Sequence, residues 1–199
     1  MGRMRQTAGQ FRNAANALRT QMRRPRYDGK IFCVGYNKTG TTSCGRALTQ
    51  LGFRHTSFNR RVYRAFYMQG RIDEVLDYTA RFESFDDLPW LKEDLIPVLD
   101  EHFPGSKFIH LTRDEASWIR SLEAWSLDRK GVRPDRDDAL AQYRAHTAFI
   151  ASYFADRPTD EFLTLDIRDP MGFRTLASFV GRTAPQDALP HVNKTPARP

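Results

Sequence analysis

31-IFCVGYNKTGTTSCGRAL-48 combines an apolar run, a glycine-bounded loop and the start of a helix. Gly35, four intervening residues, Gly40 and then Thr41-Thr42 reproduce the glycine spacing of a phosphate-binding loop, G-x-x-x-x-G-K-[ST]. Thr41, however, occupies the lysine position, and the stretch's one lysine, Lys38, lies three residues earlier. A loop that leaves a strand and enters a helix points backbone N–H groups and the positive end of the helix dipole at one spot. Lys38, Thr39, Gly40, Thr41, Thr42 and Ser43 are therefore expected to cradle an anion of phosphate type.

Working outward, short β-rich runs alternate with helical ones. Strands are predicted at 31–35, 53–58, 81–86, 107–112 and 161–165. Helices are predicted at 42–51, within 60–79, at 91–103, from an Asp114 cap to about 126, up to about 154, and at 172–181. Residues 128–138, DRKGVRPDRDD, read as an exposed loop that covers a site. The alternation predicts a single α/β domain over 30–199, with a central parallel sheet of about five strands flanked by helices.

The 199 residues, 40% of them hydrophobic, suit one globular domain. No run of eighteen apolar residues suggests a membrane span. The formal charge of +7 points to an acidic partner, but residues 1–26 hold seven arginines and no acid, which leaves the remainder near neutral. Residues 1–29 form a basic arm without the apolar centre of a secretory signal, read as helical or flexible, and they leave open a contact with a membrane surface. Cys33 and Cys44 give no disulfide framework or metal set and fit a reducing cytoplasm. The five histidines show no metal-binding spacing.

The run KTGTTS (38–43) after an apolar strand resembles the 5′-phosphosulfate loop of sulfotransferases that use 3′-phosphoadenosine 5′-phosphosulfate (PAPS). A transferring sulfuryl group carries less charge than a terminal phosphoryl group, and the family needs no divalent metal, which suits the displaced lysine. That family has a second element, a strand ending in Arg with a Ser eight residues later, which together hold the 3′-phosphate. KFIHLTR followed by DEASWIRS supplies Arg113 and Ser121 at that spacing. FPGSKFIHLTRDEASWIRSL (103–122) and LPHVNKT (189–195) resemble a bacterial branch in which a C-terminal Pro-His-x-Asn segment folds back on the nucleotide, implying roles for Asn193 and Lys194.

The resemblance implies transfer to a hydroxyl or amine of an unidentified small-molecule or carbohydrate acceptor, with no metal and no nucleic acid. Lys38 would stabilise charge on the leaving oxygen. Cytosolic members take their base from a segment ending His-Leu-Pro; here the segment is Phe85-Asp86-Asp87-Leu88-Pro89, which puts Asp87 in that place. Asp87 is the first candidate base, Asp86 and Glu83 are alternates, and His55 is a further candidate. Arg61, Trp90 and Glu83 are expected to contact the acceptor. Two other readings stand beside this one: a kinase or nucleotide-binding protein using ATP and Mg, with Asp166 at the end of FLTLD holding the metal, and a non-catalytic binding module that uses the Arg-rich arm.

Overall fold

The computed structural model describes residues 29–190. The arm up to residue 28, together with Asn193 and Lys194, lies outside the described residues. In chain order the elements are β1 (Ile31–Cys33), α1 (Thr41–Gln50), β2 (His55–Thr56), a π-helical turn (Val62–Phe66), α2 (Ile72–Thr79), β3 (Ser84–Phe85), α3 (Ile96–His102), β4 (Lys107–Thr112), α4 (Glu115–Lys130), α5 (Arg136–Tyr153), β5 (Phe162–Asp166) and α6 (Gly172–Phe179). The five strands make one parallel sheet in the order β2-β3-β1-β4-β5.

Alternation along β1 explains how the sheet is covered on both faces. Ile31 and Cys33 pack with Ile109 and Leu111 against Leu48 of α1 and Phe173 and Leu176 of α6. Phe32 and Val34 face the opposite layer with Phe85, Phe108, Leu99, Ile150 and Phe154. Phe32 is paired in register with Phe85 on one side and Phe108 on the other, with ring centroids 5.0 and 5.4 Å apart. This aromatic ladder ties the three central strands together.

Several predicted elements change length. β2 and β3 shrink to two residues each, and β2 is an edge strand with one neighbour. The helix predicted at 91–103 begins at Ile96, because Pro97 sits in its first turn and the Lys92 carbonyl closes a turn on the N–H groups of Leu95 and Ile96. The loop predicted at 128–138 contracts to 131–135: α4 continues to Lys130 and is stopped by Gly131, and Asp135 caps α5 through the Asp138 N–H. The helix predicted within 60–79 is broken at Gly70. Among the described residues no helix is long and apolar enough to cross a membrane.

Candidate active site

The loop between β1 and α1 is shaped from within. Thr39 is fully buried, and its hydroxyl donates to the Tyr36 carbonyl at 2.6 Å, so this side chain builds the loop and is not presented to a ligand. Lys38 has a φ of 66° and Gly40 a φ of 101°. A Cβ on Gly40 would sit 2.4 Å from Ile167 Cγ1, so both the left-handed backbone and the close approach of the segment after β5 require glycine. Gly40 precedes α1 with no side-chain cap, and the first turn holds no acid. The N–H groups of Thr41 and Thr42 therefore have no carbonyl of their own helix to reach, and the positive helix end is not neutralised locally. α4 and α5, by contrast, are each capped by an aspartate.

Arg113 follows β4, the neighbour of β1, and so arrives at the same sheet edge. Its Nη1 donates to the Lys38 carbonyl at 3.1 Å, while its Nε is buried with no hydrogen-bond partner. The Arg113 main chain is clamped from α5: the Tyr143 hydroxyl donates to its carbonyl at 2.7 Å and lies 3.3 Å from its N–H.

One face of α4 braces the loop. The Trp118 indole donates to the Asn37 carbonyl at 2.8 Å, and the Lys38 ammonium lies 5.5 Å from the Trp125 ring centroid. Ser121 falls between these two tryptophans at helical spacing and shares their face. Burial, and then the charges of Arg113 and Arg129, lower the Lys38 ammonium from its ordinary range. Arg113 thus meets the loop directly, and Ser121 lies on the helix face that braces it. Trp118 and Trp125 brace the loop and were left unassigned by sequence reasoning, although their i−3 and i+4 spacing from Ser121 was a readable signal.

The carboxylates sort by environment. Asp87 is half-buried, adopts a φ of 65° in the turn before the cis Leu88–Pro89 bond, and accepts the Leu88 N–H at 2.7 Å. Burial raises its carboxyl above the usual range; the Leu88 hydrogen bond opposes this shift and the charge of Asp86 adds to it. Asp86, the first alternate, is 1% exposed and enclosed: its Oδ1 lies 3.4 Å from His55 Nε2, close enough for charge attraction but not aligned as a hydrogen bond. His55 Nδ1 meets the Ser84 hydroxyl at 3.0 Å, so this ring is locked among strand ends. Gly45 of α1 covers the pair, since a Cβ there would lie 2.4 Å from His55 Nε2 and 3.0 Å from Asp86 Oδ2.

Two expected contacts are corrected. Glu83 stands at the start of β3, at the sheet edge opposite the loop, where its carboxylate accepts the Arg54 N–H at 2.7 Å. Trp90 is fully buried among Phe85 and Tyr78 and donates to the Thr79 hydroxyl at 2.9 Å, which makes it a core residue. Arg61 remains exposed, with its guanidinium over the Phe66 ring. Cys33 and Cys44 are buried free thiols, and hydrogen bonding to Cys44 together with burial holds the Cys33 thiol well above its ordinary range.

The fold is shared with two solved structures. A gluconokinase from Sinorhizobium meliloti 1021 is 15% identical, with 79% of this chain and 94% of that chain covered and a TM-score of 0.51. A sulfotransferase domain from the curacin biosynthetic pathway is 14% identical, with 79% and 75% covered and a TM-score of 0.51. At these identities the likeness establishes the fold and does not choose between the two chemistries. No curated protein sequence matches the chain. The family model described as a sulfotransferase domain matches residues 30–131, slightly over half the chain, a span that contains the loop, Asp87, Arg113 and Ser121. The chain belongs to the sulfotransferase-domain family.

Proposed function

We propose that this chain transfers a sulfuryl group from PAPS to a hydroxyl or amine of an acceptor, without a metal ion. The observation that carries the reading is the junction of Arg113 with the Lys38 loop, in which a guanidinium is positioned by the loop and yet keeps a buried N–H unpartnered. A buried donor without a partner is costly unless a ligand completes it, and a phosphate oxygen matches the guanidinium fork. The uncapped start of α1 suits a second anionic group, so the residues present fit a nucleotide with phosphate groups at both ends.

When bound, PAPS supplies an activated sulfuryl group together with a 3′-phosphate. Arg113 and Ser121 would hold the 3′-phosphate. The N–H groups of Thr41 and Thr42, with Lys38, would hold the phosphosulfate end. Lys38 offsets the negative charge that grows at the bridging oxygen. Asp87 accepts the proton of the acceptor hydroxyl as that oxygen attacks, a role helped by a carboxyl that burial raises above its usual range.

The kinase reading would need Asp166 to hold a metal. Both Asp166 oxygens are engaged by Arg168, at 3.1 and 2.8 Å, and the Arg168 N–H adds a further bond at 2.8 Å. Arg168 also donates to Asp114 at 2.6 Å, so Asp166 anchors a salt-bridge network behind the loop.

The deciding experiment is calorimetric binding of adenosine 3′,5′-bisphosphate in EDTA, compared with ADP and with ATP plus Mg. Tight metal-free binding that requires the 3′-phosphate and is lost in Lys38→Ala and Arg113→Ala is expected. Preference for ATP with Mg, indifferent to Arg113 and abolished by Asp166→Ala, would overturn the reading. Removal of residues 1–26 is expected to leave bisphosphate binding intact.

A further inference from the structure

Beside the β2 edge of the sheet, the chain between β2 and α2, together with α2 and Arg81, lines an open cavity of about 330 Å³. Two of its polar lining residues, Asn59 and Tyr78, are fixed by hydrogen bonds. Asn59 Oδ1 accepts the N–H groups of Arg61 and Val62 at 3.0 and 3.1 Å, capping the π-helical turn, and its amide donates to the Tyr78 hydroxyl at 3.0 Å. That hydroxyl lies 3.3 Å from Thr56 Oγ1, and the Thr56 carbonyl accepts the Asp86 N–H. Tyr78, which lines the cavity, is thereby linked through Thr56 to the turn that carries Asp86 and Asp87. A π-helical turn is an irregularity that recurs at functional sites.

The charge in this cavity is unbalanced. Arg61 and Arg81 both line it, and among the described residues neither has a carboxylate within ion-pair distance. Arg61 is held with its guanidinium 5.5 Å from the Phe66 ring centroid. Of the two acids in the lining, Glu74 is engaged by Arg71 at 2.8 and 2.5 Å, which leaves Asp77 as the one uncommitted acid against two uncommitted guanidiniums. A cavity of about 330 Å³ suits a small molecule and not a polymer segment.

We propose that this cavity receives the acceptor and selects small hydroxylated anions, with a carboxylate or comparable group on Arg61 and Arg81 and the hydroxyl turned toward Asp87. The assignment as an acceptor site rests on the sulfotransferase reading; the anion preference rests on the cavity alone. Planar guanidiniums suit a carboxylate, and the Phe66 and Tyr78 rings suit an aromatic body.

The test uses three probes of one shape: 4-hydroxybenzoate, neutral 4-hydroxybenzyl alcohol and cationic tyramine. Each is titrated into the isotopically labelled full chain, followed by NMR, with and without adenosine 3′,5′-bisphosphate. The benzoate is expected to bind about tenfold more tightly than the alcohol, with shifts centred on the Asn59 side-chain amide and the Arg61 and Arg81 Nε–H signals. Arg61→Gln and Arg81→Gln, two exposed positions on separate segments, should each weaken the benzoate about tenfold and leave the alcohol unchanged. Equal binding of all three probes, shifts elsewhere, or an anion preference that survives both substitutions would overturn the proposal. Anion binding here without bisphosphate binding at the loop would instead sink the sulfotransferase reading and leave the preference of the cavity standing.

Discussion

The Arg113 guanidinium donates to the main-chain carbonyl of Lys38 at 3.1 Å, joining two segments 75 residues apart in the sequence. The same side chain keeps its Nε buried and without a partner. One residue therefore both orders the loop and keeps a donor that the proposed nucleotide would meet.

Arg113→Lys keeps the charge and loses the planar fork. It is expected to weaken adenosine 3′,5′-bisphosphate by about tenfold or more, and Arg113→Ala by a larger factor, while a nucleotide lacking the 3′-phosphate changes far less. Calorimetry of the wild type and either variant with each of the two nucleotides measures the coupling directly.

Trp125 is 37% exposed, and its ring sits 5.5 Å from the Lys38 ammonium. At an exposed site such a contact contributes about 0.5–1 kcal/mol, so Trp125→Leu should weaken bisphosphate binding about two- to fivefold with little loss of stability. Trp118→Leu differs because that indole is fully buried and bonded to Asn37, and it should lower both binding and the denaturation midpoint.

Gly45→Ala is expected to destabilise the fold by about 1–3 kcal/mol, since its Cβ would overlap His55 Nε2 at 2.4 Å and crowd Asp86. Denaturant titration gives the loss. The double variant with His55→Ala should recover part of it, because the clashing ring is gone.

Asp87 carries a raised carboxyl, caused chiefly by burial and opposed by the Leu88 N–H, with Asp86 adding to the rise. As a base it works when ionised, so the transfer rate should climb with pH through this raised value, and Asp86→Asn should move the climb to lower pH. Stability runs the other way. A folded-state value above the unfolded one gives a contribution that is full below the unfolded value and is lost as pH rises through the folded one. Asp87→Asn should remove that loss in a pH series of denaturant titrations and abolish transfer.

His110 is buried on β4, and burial, reinforced by the charge of His146, lowers its imidazole to about 4. A lowered value gives stability that is present above the unfolded value near 6.5 and is lost as pH falls toward 4, by about 1.4 kcal/mol per unit in that window. His110→Gln should flatten this part of the acid-denaturation curve. Comparing midpoints at pH 7 and pH 4.5 checks it.

The β1–loop–α1 unit, the Arg113–Ser121 spacing and the parallel α/β class were legible in the sequence because each rests on local order: alternation along a strand, a left-handed turn that glycine permits, and helical spacing from a cap. Asp87 was singled out by the resemblance of Phe85–Pro89 to the base-bearing segment of cytosolic sulfotransferases. What the tertiary structure decided was which groups are accessible and which are already engaged. Asp86 and Asp87 are adjacent and chemically identical, yet one is enclosed by His55 and Gly45 and the other is half-open. Trp90, Trp118 and Trp125 are equivalent by composition, but packing puts the first in the core and the other two against the loop. Glu83 and Asp166 are answered by Arg54 and Arg168, through pairings set by strand ends and turns. Burial and pairing depend on which distant segments the sheet order brings together, and that order exists only once β1 lies between β3 and β4.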